Sequence, residues 1–182
     1  MSNEIEEHEN TSTHDEVIQY LTFTLDNEAF ATEISRVREV LEYTQITRVP
    51  CAPEYMMGVI NLRGSVVPVV DLRLQFGMAT SDLTVDTRVI IIEVIIDGKT
   101  TVLGTLADSV QEVIDLKREQ MEPAPSIGTR INNSFISAMG KLDDQFVIIL
   151  DMNRIFTSDQ INDVQKSGKH PAGDKENIQN VA

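Results

Sequence analysis

The sequence predicts a mainly β fold in which short strands pair as hairpins and helices are few. The clearest hairpin covers residues 58–72, where two apolar arms rich in β-branched residues flank a turn at residues 62–65. A second hairpin covers residues 87–107, where a run of Val and Ile leads into Asp97-Gly98, a strong hairpin-turn signal. A third covers residues 135–150. Together these hairpins predict an all-β barrel or a pair of barrels.

The first part of the chain predicts one further hairpin, then a helix and a strand. Residues 17–25 alternate between more and less apolar side chains, as a strand does, and residues 29–34 return after a turn at Asp26-Asn27. Apolar residues at spacings of three and four over residues 34–41 predict about two turns of helix. Residues 43–49, rich in β-branched side chains, predict a strand that ends at the following proline.

Short helices and a linker surround the 58–72 hairpin. Residues 53–57 predict one helical turn, because proline is tolerated at a helix start. Asp71 predicts the N-cap of a short helix over residues 72–76 that ends at Gly77. Residues 78–86 predict a polar linker.

The last part of the chain predicts a strand, a loop and a C-terminal helix. The strand covers residues 110–116 and follows Asp108, and the prolines at residues 123–125 impose an extended loop. The pattern after Asp151 predicts a C-terminal helix. The apolar residues of that helix are Ile155, Phe156, Ile161 and Val164.

The charge of the chain argues against two classes of partner. The 182 residues carry a formal net charge of -14, which disfavours binding to nucleic acid and to anionic membranes. Residues 1–16 hold six acidic and no basic residues, so they predict a disordered acidic leader, and residues 166–182 predict a disordered polar tail. Because the chain has neither a signal peptide nor an apolar run long enough to span a bilayer, the sequence predicts a cytoplasmic protein without direct membrane insertion.

The predicted folded region, residues 17–165, lacks the residues that enzyme sites and metal centres usually need. All three histidines, His8, His14 and His170, fall in the predicted tails, so no imidazole is available for general base catalysis or a typical zinc site. Cys51 lies in a proline-bounded loop without a neighbouring base, which predicts an unreactive thiol. We therefore expect no catalytic activity, no metal and no cofactor.

Five aliphatic residues have two possible roles, and their periodicity does not separate them. They can be ordinary core residues, or they can line an exposed apolar groove that receives a partner helix. Glu39 and Arg63 can likewise be solvated surface charges or functional residues. The five aliphatic residues are Leu21, Ile34, Val37, Val40 and Val110.

Several motifs, taken in order, resemble the CheW-type coupling proteins of bacterial chemotaxis over about residues 17–157. The most specific is the stretch at residues 58–72, which contains Asn61-Leu62-Arg63-Gly64. The supporting motifs are Gln19-Tyr20-Leu21-Thr22-Phe23, Arg38-Glu39-Val40, Val102-Leu103-Gly104, Asp108-Ser109-Val110 and Glu122-Pro123-Ala124-Pro125.

The resemblance implies a fold and a function. The implied fold is two SH3-like five-stranded β-barrels side by side, intertwined within residues 17–165 and sharing a groove, with short helices and a C-terminal helix. The implied function is that of a non-catalytic adaptor between methyl-accepting chemoreceptors and the regulatory domain of the chemotaxis histidine kinase, in arrays beneath the inner membrane. In this family, coupling proteins and kinase regulatory domains alternate in rings, barrel end to barrel end.

The resemblance also implies site residues. The cytoplasmic hairpin tip of the receptor is expected in the groove between the barrels, at positions that match the five aliphatic residues. Glu39 matches an acidic position near the receptor contact, and Arg63 matches the arginine of the most specific motif. The expected receptor-binding set is Leu21, Ile34, Val37, Glu39, Val40, Arg63 and Val110, and the kinase-binding residues are left unassigned.

Two other functions stay open. A paralogous scaffold for another kinase pathway would have the same fold and different partners. A small-molecule-binding β-barrel that acts as a sensor would need a closed cavity for its ligand. An enzyme that uses carboxylates alone is disfavoured, because the chain shows no recognisable pair of catalytic acids.

Overall fold

The computed structural model describes residues 16–126 and 131–156, and within them nearly all regular structure is β. The strands are β1 (Val17–Leu25), β2 (Glu28–Glu33), β3 (Val37–Glu42), β4 (Met56–Leu62), β5 (Ser65–Asp71), β6 (Arg88–Ile96), β7 (Lys99–Ala107), β8 (Ser109–Lys117), β9 (Met121–Glu122), β10 (Ile136–Leu142) and β11 (Gln145–Leu150). The helices are α1 (Leu72–Gln75) and α2 (Met152–Ile155), with 3-10 turns at Ile34–Arg36, Arg118–Gln120 and Asn133–Phe135. The mainly β prediction is confirmed.

The strands form two sheets. Sheet A has six strands in the order β8-β1-β2-β11-β10-β9, and sheet B has five in the order β3-β6-β7-β5-β4. Neighbouring strands are antiparallel except for β2 with β11 in sheet A and β5 with β7 in sheet B. Both parallel pairs join a strand of one hairpin to a strand of another, so each sheet is built largely from two hairpins held side by side.

The chain crosses from sheet A to sheet B after β2 and returns after β7. Strand β3 follows β2 of sheet A and pairs with β6 of sheet B. Strand β8 follows β7 of sheet B and pairs with β1 of sheet A. Sheet B is therefore built from the consecutive strands β3–β7, inserted between the two parts of sheet A.

Three apolar clusters fill the structure. One lies within sheet A and includes Tyr20 and Leu116, and one lies within sheet B and includes Val69 and Ile91. The largest, which we call the shared cluster, takes residues from both sheets and from both short helices. Phe30 of sheet A and Phe76 after α1 stack there with ring centroids 6.1 Å apart. The burial of this cluster holds the two sheets together.

The hairpins turn where the sequence indicated. Two-residue hairpin loops of type I′ need positive φ at both central residues, which favours Asn, Asp and Gly. The central residues with positive φ are Asp26 (51°) and Asn27 (63°), Arg63 (51°) and Gly64 (87°), and Asp97 (50°) and Gly98 (73°). The predicted turns at these three positions are therefore present.

Each sheet contains a hairpin followed by a short capped helix. Asp71 accepts a hydrogen bond from Arg73 N at 2.9 Å and caps α1, and Asp151 accepts one from Asn153 N at 3.1 Å and caps α2. The predicted cap at Asp71 is present, and the helix is one residue shorter than predicted. Of the predicted C-terminal helix, the structure describes only α2, because Ile161 and Val164 lie outside the described residues.

The predicted helix over residues 34–41 is wrong. These residues form the 3-10 turn Ile34–Arg36 and the start of β3. The register of β3 against β6 shifts between Val37 and Glu39, so one extra residue is accommodated there as a β-bulge. A bulge changes the spacing of residues on one face from two to three, and the 3-10 turn has a period of three as well. The bulge and the 3-10 turn therefore both produce a three-residue spacing of apolar residues, which resembles the spacing in a helix.

Two shorter predictions before β4 are also wrong. Residues 43–49 are not a strand: they are irregular, and only Thr47 forms a bridge, to Val59, with N to O distances of 2.9 and 2.8 Å. Residues 53–57 are not a helical turn, because Met56 N bonds to Pro53 O at 2.9 Å in a tight turn and Met56 begins β4. From this segment, Tyr43 and Ile46 pack against the sheet B cluster. The predicted leader and tail fall almost wholly outside the described residues.

Candidate protein-binding face

Four of the five aliphatic residues singled out in the sequence lie in or against the shared cluster, and Val40 does not. Leu21 is a buried member of the cluster, with 6% of its surface exposed. Ile34, Val37 and Val110 are half-buried and pack against its edge. Val40 is 38% exposed on β3. These residues come from β1, β3, β8 and the 3-10 turn between β2 and β3, so both sheets contribute.

The bulge in β3 decides which of its residues face the cluster. Directly opposed residues of an antiparallel pair point to the same side of a sheet. Val37 is opposite Ile92 and Val40 is opposite Ile90, and both isoleucines belong to the shared cluster. Val37 and Val40 therefore lie on one side of β3 despite their three-residue spacing.

Strand β8 repeats this arrangement on sheet A. Its register against β1 shifts between Leu21 and Phe23, with Val110 opposite Phe23 and Val113 opposite Leu21. Val113 is 46% exposed and lies on the same side as Val110. The sequence reasoning missed Val113, although the three-residue spacing of valines, as in β3, could have identified it. We call Ile34, Val37, Val40, Val110 and Val113 the shared face.

The two predicted charges form an ion pair on sheet B. Arg63 Nη2 donates to Glu39 Oε2 at 2.9 Å, and the Arg63 side chain is 79% exposed. Glu39 lies opposite Ile91 of the sheet B cluster, so it points to the other side of β3 from Val40. The pair joins β3 to the β4–β5 turn. Strands β3 and β4 are the two outer strands of sheet B. Arg38, the bulged residue, pairs with Glu93 of β6.

Burial shifts the pKa of two ionisable groups. Burial raises the pKa of the Asp71 carboxyl, and the helix N–H groups and Arg73 only partly offset this effect. Burial also raises the pKa of Tyr20, with a smaller contribution from Glu33. Within residues 16–126 and 131–156, no group of three or more His, Cys, Asp and Glu is placed to hold a metal ion. The three histidines fall outside these residues.

Two clefts open on the surface of the described residues. One of about 520 Å³ lies between the irregular segment before β4 and the linker after α1, and Asp71, Met56 and Leu106 line it. One of about 720 Å³ lies beside the β10–β11 hairpin, where Phe146 is 52% exposed. Among the described residues, neither lining includes a histidine, a cysteine or a lysine.

Comparison with known proteins decides the family. Residues 19–160 match the family described as the CheW-like domain. The chain belongs to the CheW-like family. It is 32% identical over 152 residues to a chemotaxis protein CheW of Klebsiella aerogenes, covering 82% of this chain and 89% of that protein. It is 32% identical to the chemotaxis protein CheW of Helicobacter pylori, covering 80% of this chain and 86% of that protein.

A solved CheW structure shares the fold. The crystal structure of the scaffolding protein TtCheW from Thermoanaerobacter tengcongensis matches with a TM-score of 0.69 and 34% identity, over 78% of this chain and 93% of that chain. The predicted pair of SH3-like barrels is confirmed, with sheets A and B as the two barrels of the CheW fold. Sheet B has the predicted five strands, and sheet A has six because the two-residue strand β9 is added to it. No helix in the described part of the chain is both long and apolar enough to cross a bilayer.

Proposed function

We propose that this CheW-like protein is a non-catalytic adaptor that couples methyl-accepting chemoreceptors to the chemotaxis histidine kinase. It would act in the cytoplasm, recruited to receptor arrays beneath the inner membrane. The observation that supports this most is the shared face, an apolar surface to which both barrels contribute at the edge of a common cluster. A surface of this kind suits an amphipathic helix.

The receptor tip would bind at the shared face. Its helix would cover the exposed parts of Val40 and Val113, which are 38% and 46% exposed, and contact the half-buried valines of the same face. Each square ångström of apolar surface removed from water contributes about 25 cal/mol before ordering costs are subtracted. Glu39 and Arg63 lie on the other side of the outer strand β3 from Val40, and a receptor tip that extends around this strand would meet their charges, which favours correct partners and faster association.

The kinase regulatory domain would bind at barrel ends. Each barrel has one exposed apolar residue at the same position of its hairpin, one residue after the start of the second strand. These are Val66 on β5, 72% exposed, and Phe146 on β11, 52% exposed. Exposed apolar side chains at equivalent places on two barrels suit contacts in which barrel ends meet.

Separate variants test the two surfaces. We expect Val40→Glu and Val113→Glu to weaken binding to a receptor signalling fragment by about tenfold or more, because a charge would be buried against an apolar helix. Both variants should keep their affinity for the kinase regulatory domain. Val66→Glu should weaken binding to the kinase regulatory domain and keep the affinity for the receptor fragment. Val85→Glu is the matched control, because Val85 is 90% exposed in the linker and belongs to neither surface.

Circular dichroism and thermal unfolding would establish that each variant is folded. Folded Val40→Glu and Val113→Glu proteins that bind the receptor fragment as the parent does would contradict the receptor site. A parent protein that binds another kinase's domain, and neither of these partners, would support the paralogous scaffold instead.

A further inference from the structure

Among the polar contacts that cross between the barrels, two occupy equivalent positions. Each involves the residue two places after the aspartate that caps a short helix. In α2, Asn153 Oδ1 accepts a hydrogen bond from Ile95 N of β6 at 2.8 Å. In α1, Arg73 pairs through Nη2 with Asp108 Oδ2. The first contact is neutral, and the second is an ion pair.

Asp108 connects Arg73 to the other barrel. It lies between β7 of sheet B and β8 of sheet A. The same Oδ2 accepts a hydrogen bond from Asp26 N in the β1–β2 turn at 2.8 Å, and Asp108 N donates to Thr24 O at 3.0 Å. The guanidinium attached to sheet B is thus connected, through one carboxylate, to two points on sheet A.

Arg73 depends on this carboxylate. The residue is only 7% exposed, and its Nε is buried without a hydrogen-bond partner. A buried cation is stable only when a counter-charge is held close to it. The Asp108 side chain is 32% exposed and borders a polar cleft of about 470 Å³ that Thr84 and Thr87 also line. The Arg73 side chain is therefore fixed by burial, whereas the Asp108 side chain has room to move into the cleft.

The pair is connected along the chain to both proposed binding surfaces. Asp108 is two residues before Val110 of the shared face, and the neighbouring Ser109 Oγ hydrogen-bonds to Thr24 Oγ1 at 2.7 Å. Arg73 follows β5, the strand that carries Val66 near its other end. A movement of the first residues of β8 would therefore also displace α1 and the end of β5, because this pair links them.

We infer that Arg73 and Asp108 are positioning residues that couple the shared face to the barrel end carrying Val66. This inference rests on the proposed adaptor function. The pair contacts neither partner. It holds the start of β8 and α1 in one relative position, so that occupation of one surface changes the affinity of the other. Coupling between sites of this kind typically changes affinity by about fivefold to 150-fold.

The test measures cooperativity rather than binding alone. The affinity of the full chain for the kinase regulatory domain is measured with and without a saturating receptor fragment, for the parent and for Arg73→Met, Asp108→Asn and Asn153→Ala. We expect Arg73→Met and Asp108→Asn to keep each single affinity within about threefold and to lose the cooperative change. Asn153→Ala, which removes the equivalent neutral contact, should keep the cooperative change in affinity. Arg73→Lys, which retains the cation, should restore part of it.

The outcomes separate this inference from the proposed function. A parent protein that binds neither partner overturns the proposed function. A parent that binds both partners without cooperativity, or folded variants that keep full cooperativity, overturns only the inference. If Asp108→Asn unfolds because it leaves the buried Arg73 cation without its counter-charge, Arg73→Met decides, because the partly exposed Asp108 carboxylate can still accept the hydrogen bond from Asp26 N.

Discussion

The Arg63 side chain contributes a charge to the surface and little packing to the fold. The guanidinium is largely exposed and pairs with Glu39, and exposed ion pairs typically contribute only about 0 to 1 kcal/mol to stability. We expect Arg63→Glu to lower the free energy of unfolding by less than about 1 kcal/mol. The same variant should weaken binding to the receptor fragment by about tenfold. Urea unfolding and a binding titration measure the two effects, and unfolding of the variant would show that Arg63 is structural.

Asp71 makes stability depend on pH. Burial raises its pKa in the folded protein above the value of the unfolded chain. The protonated carboxyl is therefore favoured by folding, and this contribution is present below the unfolded pKa of about 3.9 and lost as the pH rises through the folded pKa.

Asp71→Asn removes this titration and keeps the helix cap, because the amide oxygen can still accept from Arg73 N. We expect the stability of Asp71→Asn relative to the parent to increase between pH 3.5 and pH 7. Urea unfolding of both proteins at the two pH values measures the change. A relative stability that decreases with pH would contradict the raised pKa.

The sequence identified several residues and left their contacts open. Turn residues such as Asp97 and Gly98, and the cap at Asp71, depend on local chemistry that a sequence displays directly. The Arg63–Glu39 contact joins residues 24 positions apart, so it depends on how sheet B curves and could not be derived from spacing. Val113 was missed for a related reason, since its exposure depends on which strands cover it.

At the scale of elements, Gly58 holds the irregular segment before β4 against sheet B. Its φ is 144°, and a Cβ atom added there would lie 2.2 Å from Thr47 O. We expect Gly58→Ala to destabilise the protein by about 2 to 4 kcal/mol, because both the backbone conformation and the close approach oppose a side chain.

Gly64→Ala is the matched control for this prediction. Gly64 also has positive φ, at 87°, but nothing lies within 4 Å of an added Cβ. Its substitution should cost only about 1 kcal/mol, which is the conformational part of the effect. Equal losses in the two variants, measured by denaturant unfolding, would show that contact with Thr47 does not matter.

Elements with one regular period were predicted well, and elements that change period were not. Strands β5, β6, β7 and β11 lie close to their predicted bounds because continuous β-branched runs and turn residues define them. Strand β3 was mistaken for helix because a 3-10 turn and a bulge give it three-residue spacing. Strand β9, only two residues long, is too short to produce any pattern.

At the scale of the whole molecule, the chain crosses from sheet A to sheet B before β3 and returns before β8, which joins the two barrels into one unit. The hairpin count indicated barrels, but the insertion of sheet B within sheet A depends on pairing between distant parts of the chain, which periodicity does not encode. Strands β3 and β8 both carry valines of the shared face, so the surface proposed for the receptor exists only where both barrels meet. A change in how the two barrels are held would therefore change this surface.

Simultaneous binding tests the proposed adaptor role most directly. The measurement is co-sedimentation of the full chain with a receptor signalling fragment assembled on vesicles and with the kinase regulatory domain. We expect the receptor fragment to carry the protein into the pellet, and the protein to carry the kinase domain with it. Omission of the protein should leave the kinase domain in solution. A protein that sediments with neither partner, or that binds only one of them at a time, would contradict the adaptor role.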